Sequence, residues 1–196
     1  MLSALRPAIV TTVFFTLLLG IAYPLAVTGV GHLAFPAQAE GSLVRAGGHV
    51  VGSTLIGQNF ARPQYLHPRP SAAGTNGYDA SASSGSNLGP LSEDLAKRVK
   101  DSAAALRAEN GAAVVPADAV TTSGSGLDPD ISPQYAAFQV RRIAQARGVP
   151  DAQVAQVIAS KTVGRWLGIF GQPHVNVLAV NLALDARHPV SHAPIP

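Results

Sequence analysis

From Pro7 to Ala39 the chain carries no Asp, Glu, Lys or Arg, a run of 33 residues. The core of that run, PAIVTTVFFTLLLGIAYPLAVTGV, is almost wholly apolar. A helix needs about 20 such residues to cross the hydrocarbon of a bilayer. The pattern therefore predicts one membrane-spanning helix, placed at residues 7–31. Past Glu40 apolar and polar positions alternate irregularly and no second run of that kind occurs. The chain reads as one membrane anchor followed by one water-exposed domain.

Within that domain Val50-Val51 and Leu55-Ile56 are each closely followed by glycine, which suits short strands joined by tight turns. Residues 62–90 hold no periodic apolar pattern and are rich in Gly, Pro, Ser and Asn. A loop of that length in a compact domain is usually functional or disordered. The embedded Tyr65, Leu66, Tyr78 and Leu88 predict an ordered one. Leu91, Leu95, Val99 and Leu106 share a helical face, with Ser92 as cap and Asn110-Gly111 as stop. After the polar stretch VVPADAVTTSGSGLDPDISP, Ser132 caps a helix that has Pro133 at its first position and ends at Arg147 before Gly148. A third helix opens at Pro150-Asp151 with Val154, Val157 and Ile158 inward, and His174–Leu178 reads as a strand. The following AVNLALDA fits either an extended or a helical continuation. The expected fold class is α+β: one N-terminal transmembrane helix, then a single small extracytoplasmic domain over 32–187. Residues 1–6 are placed in the cytoplasm and 188–196 in a disordered tail.

Charge is sparse. Charged residues make up 13% of the chain, and outside the apolar run they still reach only about 15%, against about 25% in typical soluble proteins. Two readings stand side by side: a surface partly covered by a partner, and a general bias toward Ala and Gly. The net charge of +3 comes from scattered basic residues. No basic stripe interleaved with aromatics argues for nucleic acid. The absence of cysteine excludes disulfides, iron–sulfur clusters and thiolate zinc sites.

Ala37-Gln38-Ala39 before Glu40 resembles a signal-peptidase site, so a cleaved secretory signal is the rival to a retained anchor. The apolar core exceeds the roughly 7–15 residues of a signal's hydrophobic region, and the positive region before it holds only Arg6 and the amino terminus. Both features favour the anchor. Pro24 inside the span points to neighbouring spans that satisfy the freed backbone group, and Gly20, Gly29 and Gly31 leave room for close helix approach. Arg6 and the amino group on one side outweigh Arg45 on the other, which places the N-terminus inside and the domain outside.

Catalytic signatures are lacking: no GxxxxGK[ST], HExxH or GxSxG occurs. Ser125, between two glycines, reads as a turn serine with no histidine nearby in sequence to act as its base. Asp128, Asp130 and Ser132 mimic the start of a calcium loop, but Pro133 and Gln139 stand where that loop needs glycine and a chelating glutamate. His188 and His192 lie in a proline-rich tail and do not read as a metal site. Gln139, Arg142 and Asn176 are polar residues inside packable elements, read either as internally bonded or as partner contacts.

Taken in order, several motifs resemble the KdpC family, the C subunit of the bacterial potassium-transporting Kdp ATPase. They are Tyr23-Pro24-Leu25, Ala39-x-Gly41-Ser42-Leu43, Gly52-Ser53-x-Leu55-Ile56-Gly57-Gln58 and Arg69-Pro70-Ser71. They continue with Ser84-x-Ser86-Asn87-Leu88-Gly89-Pro90, Ser123–Pro129, Gln139-Val140-x-Arg142, Val175-Asn176-Val177 and Asn181–Asp185. Leu66, Ser84 and Asp130 stand where the family commonly has phenylalanine, glycine and histidine. The resemblance implies an accessory, non-hydrolysing subunit of the high-affinity ATP-driven potassium uptake complex, single-pass in the inner membrane. It implies partners: the channel-like KdpA, the ATPase subunit KdpB and the small single-span KdpF. It implies no cofactor of its own, ATP and potassium being handled by the complex. It also implies a role in assembly and as a catalytic chaperone that raises the ATPase subunit's nucleotide affinity. Candidate interface or structural residues are Gly52, Ser53, Gln58, Arg69, Pro70, Ser71, Ser84, Ser86, Asn87, Gly126, Asp128, Pro129, Gln139, Arg142 and Asn176. The alternative is a secreted or anchored extracytoplasmic binding module or a serine hydrolase using Ser125.

Overall fold

Pro24 shapes the N-terminal unit of the computed structural model, which describes residues 2–111 and 114–190. A proline cannot donate to the carbonyl four residues back, and its ring crowds that carbonyl. The helix answers with a π-helical turn at Leu18–Ala22, where the Tyr23 N–H reaches back to the Leu18 carbonyl. This turn joins α1 (Leu2–Leu17) to α2 (Tyr23–Ala34) in one helix, Ser3–Ala34, long and apolar enough to cross a membrane. None of its large apolar side chains is buried in the protein; Leu33 is 88% exposed. Phe35 leaves helical geometry, and α3 (Pro36–Ala39) adds a single turn, so Ala37-Gln38-Ala39 is helical.

The second unit begins at Val44. Strands β1 (Leu43–Ala46) and β2 (His49–Ser53) form a hairpin over Gly47-Gly48. Both glycines have positive φ, 57° and 84°, as the tight two-residue turn that matches strand twist requires. Leu55-Ile56 is not a strand. Ser53 and Ile56 make an isolated bridge across a turn, with the Ser53 hydroxyl accepting from the Leu55 N–H at 3.1 Å.

Residues 54–92 carry no helix and no strand longer than that bridge. Helix α4 (Glu93–Asn110) follows, capped by the Ser92 side chain and closed by Gly111 at φ 66°. Leu95, Val99 and Leu106 are half-buried, but Leu91 precedes the cap and is 96% exposed, so it is not part of that face. The segment from Pro133 to Arg147 is two helices, α5 (Pro133–Phe138) and α6 (Val140–Arg147), hinged at Gln139. Helix α7 (Asp151–Lys161) buries Val154, Val157 and Ile158 as its spacing predicts.

A three-stranded antiparallel sheet of order β3–β5–β4 is built from β3 (Asp130–Ile131), β4 (Thr162–Val163) and β5 (His174–Asn176). The expected strand over His174–Leu178 stops early. Asn176 caps α8 (Val177–Arg187) by accepting from the Ala179 N–H at 3.0 Å, so Val177 and Leu178 are helical. The core lies between this sheet and α5–α8, with Leu66, Ile143, Val154, Val175, Val180 and Leu184 at 0% exposure. Each such side chain contributes about 1.5–3 kcal/mol. The unit is α+β, as expected. Of the expected tail, His188 closes α8; residues 191–196 lie outside the described residues.

Candidate functional site

Leu66 has no helix or strand to satisfy its backbone, yet it is fully buried. Two side-chain amides take that task. Asn181, on the apolar face of α8, accepts from the Leu66 N–H at 2.7 Å and donates to the Leu66 carbonyl at 3.0 Å. Gln139, at the α5–α6 hinge, treats the next residue alike, with 2.8 Å to the His67 N–H and 3.0 Å to its carbonyl. Each amide stands in for a strand neighbour. Buried backbone groups are almost always paired, and here side chains complete the pairing.

Two arginines extend the grip. Arg142 donates to the Pro63 carbonyl at 2.6 Å, the Tyr65 carbonyl at 3.0 Å and the Gln139 side chain at 2.6 Å, and its Nε is ion-paired with Glu109 at 3.0 Å. Arg147 donates to the Gln64 and His188 carbonyls and to Asp185, and lies over the Tyr65 ring at 5.3 Å. The Tyr65 hydroxyl closes the network on Asp185 at 3.0 Å. Burial, and then the hydrogen bond to Asp185, push the Tyr65 hydroxyl's pKa up. Burial and the positive Arg142 lower that of His67.

A second cluster folds residues 69–87 against 121–130. Arg69 ion-pairs with Asp128 at 3.1 Å and donates to the Thr121 and Thr122 carbonyls. The Ser71 hydroxyl donates to the Gly126 carbonyl at 2.6 Å while accepting from the N–H groups of Ala73 and Tyr78. The Tyr78 hydroxyl returns to the Arg69 carbonyl, and burial raises its pKa. Gly126 sits at φ 68°, and a Cβ there would lie 2.6 Å from the Ser84 carbonyl. Only glycine fits both the angle and the space. Ser86 accepts from the Thr122 hydroxyl at 3.3 Å, and Asn87 is exposed with φ 52°. Phe60, His67, Arg69, Ser71, Tyr78 and Tyr135 line an open cleft between the two clusters, and Pro70 lies on its wall.

The remaining candidates gather at the end of β5. Gln58 folds over Gly52, occupying the space of a side chain there, and donates to the Val51 carbonyl at 2.9 Å. Asn176 donates to the Thr54 carbonyl at 3.1 Å and to Asp130 at 3.0 Å, and the Pro129 carbonyl accepts the Val177 N–H. Asp128 and Asp130 therefore serve different partners. Among the described residues no His, Asp and Glu gather in a set able to hold a metal ion. The Ser125 hydroxyl accepts from the Leu127 N–H at 3.1 Å, as a turn serine does.

Against known families, residues 5–186 match the model described as K+-transporting ATPase, c chain (KdpC). The chain belongs to the KdpC family. Among KdpC relatives, one from Caulobacter sp. strain K31 is 68% identical over 96% of both chains. One from Beijerinckia indica subsp. indica is 60% identical over the whole of both, and one from Rhodopseudomonas palustris is 52% identical over 96% of this chain and 100% of its own. Each bears the name potassium-transporting ATPase KdpC subunit.

The structure draws Gln139 and Arg142 into the interior, at 1% and 7% exposure, with bonds inside the fold. It brings Arg69, Ser71, Gly126 and Asp128 together and leaves Asn87 facing solvent. The candidate residues read from the sequence did not include Arg147, Asn181 or the segment RWLGIF at 165–170, although Asn181 stood in one of the resembling motifs. Asn181 did leave a signal: a polar residue on the face otherwise formed by Val177, Leu178, Val180 and Leu184.

Proposed function

We propose that this chain is an accessory subunit of an ATP-driven potassium uptake complex, held in the inner membrane by the helix Ser3–Ala34 with its C-terminal domain outside. Its partners on this reading are KdpA, KdpB and KdpF. The observation that carries the proposal is the family match from residue 5 to 186, which takes in both the helix and the domain. The subunit hydrolyses nothing itself. It supports assembly, and any effect on nucleotide affinity in the ATPase subunit passes through the membrane-embedded partners, at a coupling of about 1–3 kcal/mol. In support, the sequence has no phosphate-binding GxxxxGK[ST] loop, and two side-chain networks hold the 62–87 segment in one conformation for a partner to meet.

The test is a mild-detergent pull-down of tagged full-length chain from potassium-starved cells, with intact-mass analysis of the bait. Co-recovery of a potassium-stimulated ATPase with a bait retaining residues 1–39 is expected. A bait beginning at Glu40 and free of membrane partners would refute the reading.

A further inference from the structure

Between β4 and β5 the chain makes a tight loop, closed by bonds from the Trp166 N–H to the Phe170 carbonyl at 2.9 Å and from the Phe170 N–H back at 3.0 Å. Gly168 and Gly171 both have φ of 78°, which sharpens the turn. The side chains it carries face outward. Trp166 is 69% exposed, Leu167 72%, Ile169 71% and Phe170 56%, with Val163 at 51% beside them. Trp166 and Phe170 touch each other, ring centres 5.6 Å apart, and the indole N–H finds no hydrogen-bond partner among the described residues.

We infer that this loop docks into the interfacial region of a lipid bilayer, the same membrane that the Ser3–Ala34 helix spans. The inference rests on the retained anchor proposed above. Three observations choose lipid over a protein surface. The protruding tip offers on the order of 500 Å² of apolar surface, short of the roughly 800 Å² per partner that a stable protein interface buries. Across the sheet Asp130 faces His174 at 3.8 Å; along the chain the loop's charge has one sign, with Lys161 and Arg165 flanking it and no Asp or Glu from 152 to 184. That complements the phosphates of anionic headgroups. An exposed tryptophan, with an apolar body and one polar N–H, suits the boundary between acyl chains and headgroups.

Trp166 is the chain's single tryptophan, so its fluorescence reports on this loop alone. Full-length chain is reconstituted by itself into vesicles of phosphatidylcholine with phosphatidylglycerol, floated, and probed with headgroup-region nitroxide lipid and with aqueous iodide. Docking predicts strong quenching by the lipid probe. It also predicts iodide quenching at least about threefold weaker than in the double variant Leu167→Ser, Ile169→Ser. Arg165→Glu should restore roughly half of the iodide access in anionic vesicles and change nothing in neutral ones. Equal iodide access in parent and double variant, with both chains floating, would overturn the docking and leave the anchor standing. Shielding that appears only when the other pump subunits are present would also overturn it and hand the loop to a protein. A chain that fails to float would overturn docking and anchor together.

Discussion

Two loops of this domain reverse what their compositions promise. The segment 62–87 is long, polar and rich in Gly, Pro and Ser, yet it is bonded at many points to Gln139, α6, α8 and the 121–130 stretch. The segment 164–171 is short and carries Trp, Leu, Ile and Phe, yet these side chains face outward. Apolar character alone does not decide burial, and polarity alone does not decide mobility. What decides is whether the folded partner elements present complementary groups: amides and guanidiniums for the first loop, nothing among the described residues for the second.

The comparison breaks most visibly at Arg142. Replacing it with Met strands the Pro63 and Tyr65 carbonyls, removes one of two donors to the Gln139 side-chain oxygen and unpairs Glu109, and should cost about 3 kcal/mol of stability, read from urea unfolding of the full chain in detergent. Asn181→Leu, which orphans both backbone groups of Leu66, should cost about 2 kcal/mol by the same measurement. Equal stability of either variant and the parent would mean that the long loop is not held by these bonds. Gly126→Ala forces a Cβ against the Ser84 carbonyl at φ 68° and should lose more than about 1 kcal/mol. It should also raise proteolytic nicking within 71–87.

A pH series sharpens the same contrast. Burial and Arg142 disfavour the charged form of His67, so its pKa is lower folded than the 6.5 of an unperturbed histidine. The unfolded chain then binds the proton first as pH falls. The stability that His67 contributes is present in full above about 6.5 and declines as pH drops toward the folded value. Between pH 7.5 and 5 the parent should lose more stability than His67→Gln; parallel curves would contradict the burial. The smallest effect belongs to the exposed loop. Trp166→Ser should shift unfolding in detergent by no more than about 0.5 kcal/mol, because the side chain packs on little besides Phe170.

Much of the framework was legible along the chain. The spanning helix follows from one uncharged run, the starts of α4 and α5 from Ser92 and Ser132, and the ends of α4 and α6 from Gly111 and Gly148. The inward face of α7 follows from its spacing. Leu55-Ile56 misled because a serine hydroxyl can close a turn where the residue pattern favours a strand. His174–Leu178 misled because an asparagine cap can convert an apolar run from strand to helix in one step. The helix of unbroken pattern is interrupted at Gln139, the residue whose side chain binds both backbone groups of His67.

By itself, then, the sequence determined the long uncharged apolar helix, the starts of α4 and α5, the ends of α4 and α6 and, through a series of short motifs, the resemblance to a family, since each of these signals lies in residues within a few positions of one another. Only the tertiary structure decided which polar residues are interior and which apolar ones are left uncovered. Asn181 meets Leu66 across 115 positions and Gln139 meets His67 across 72. Spacing along a chain carries no information about partners at such separations; the folded core that brings them within 3 Å of each other does.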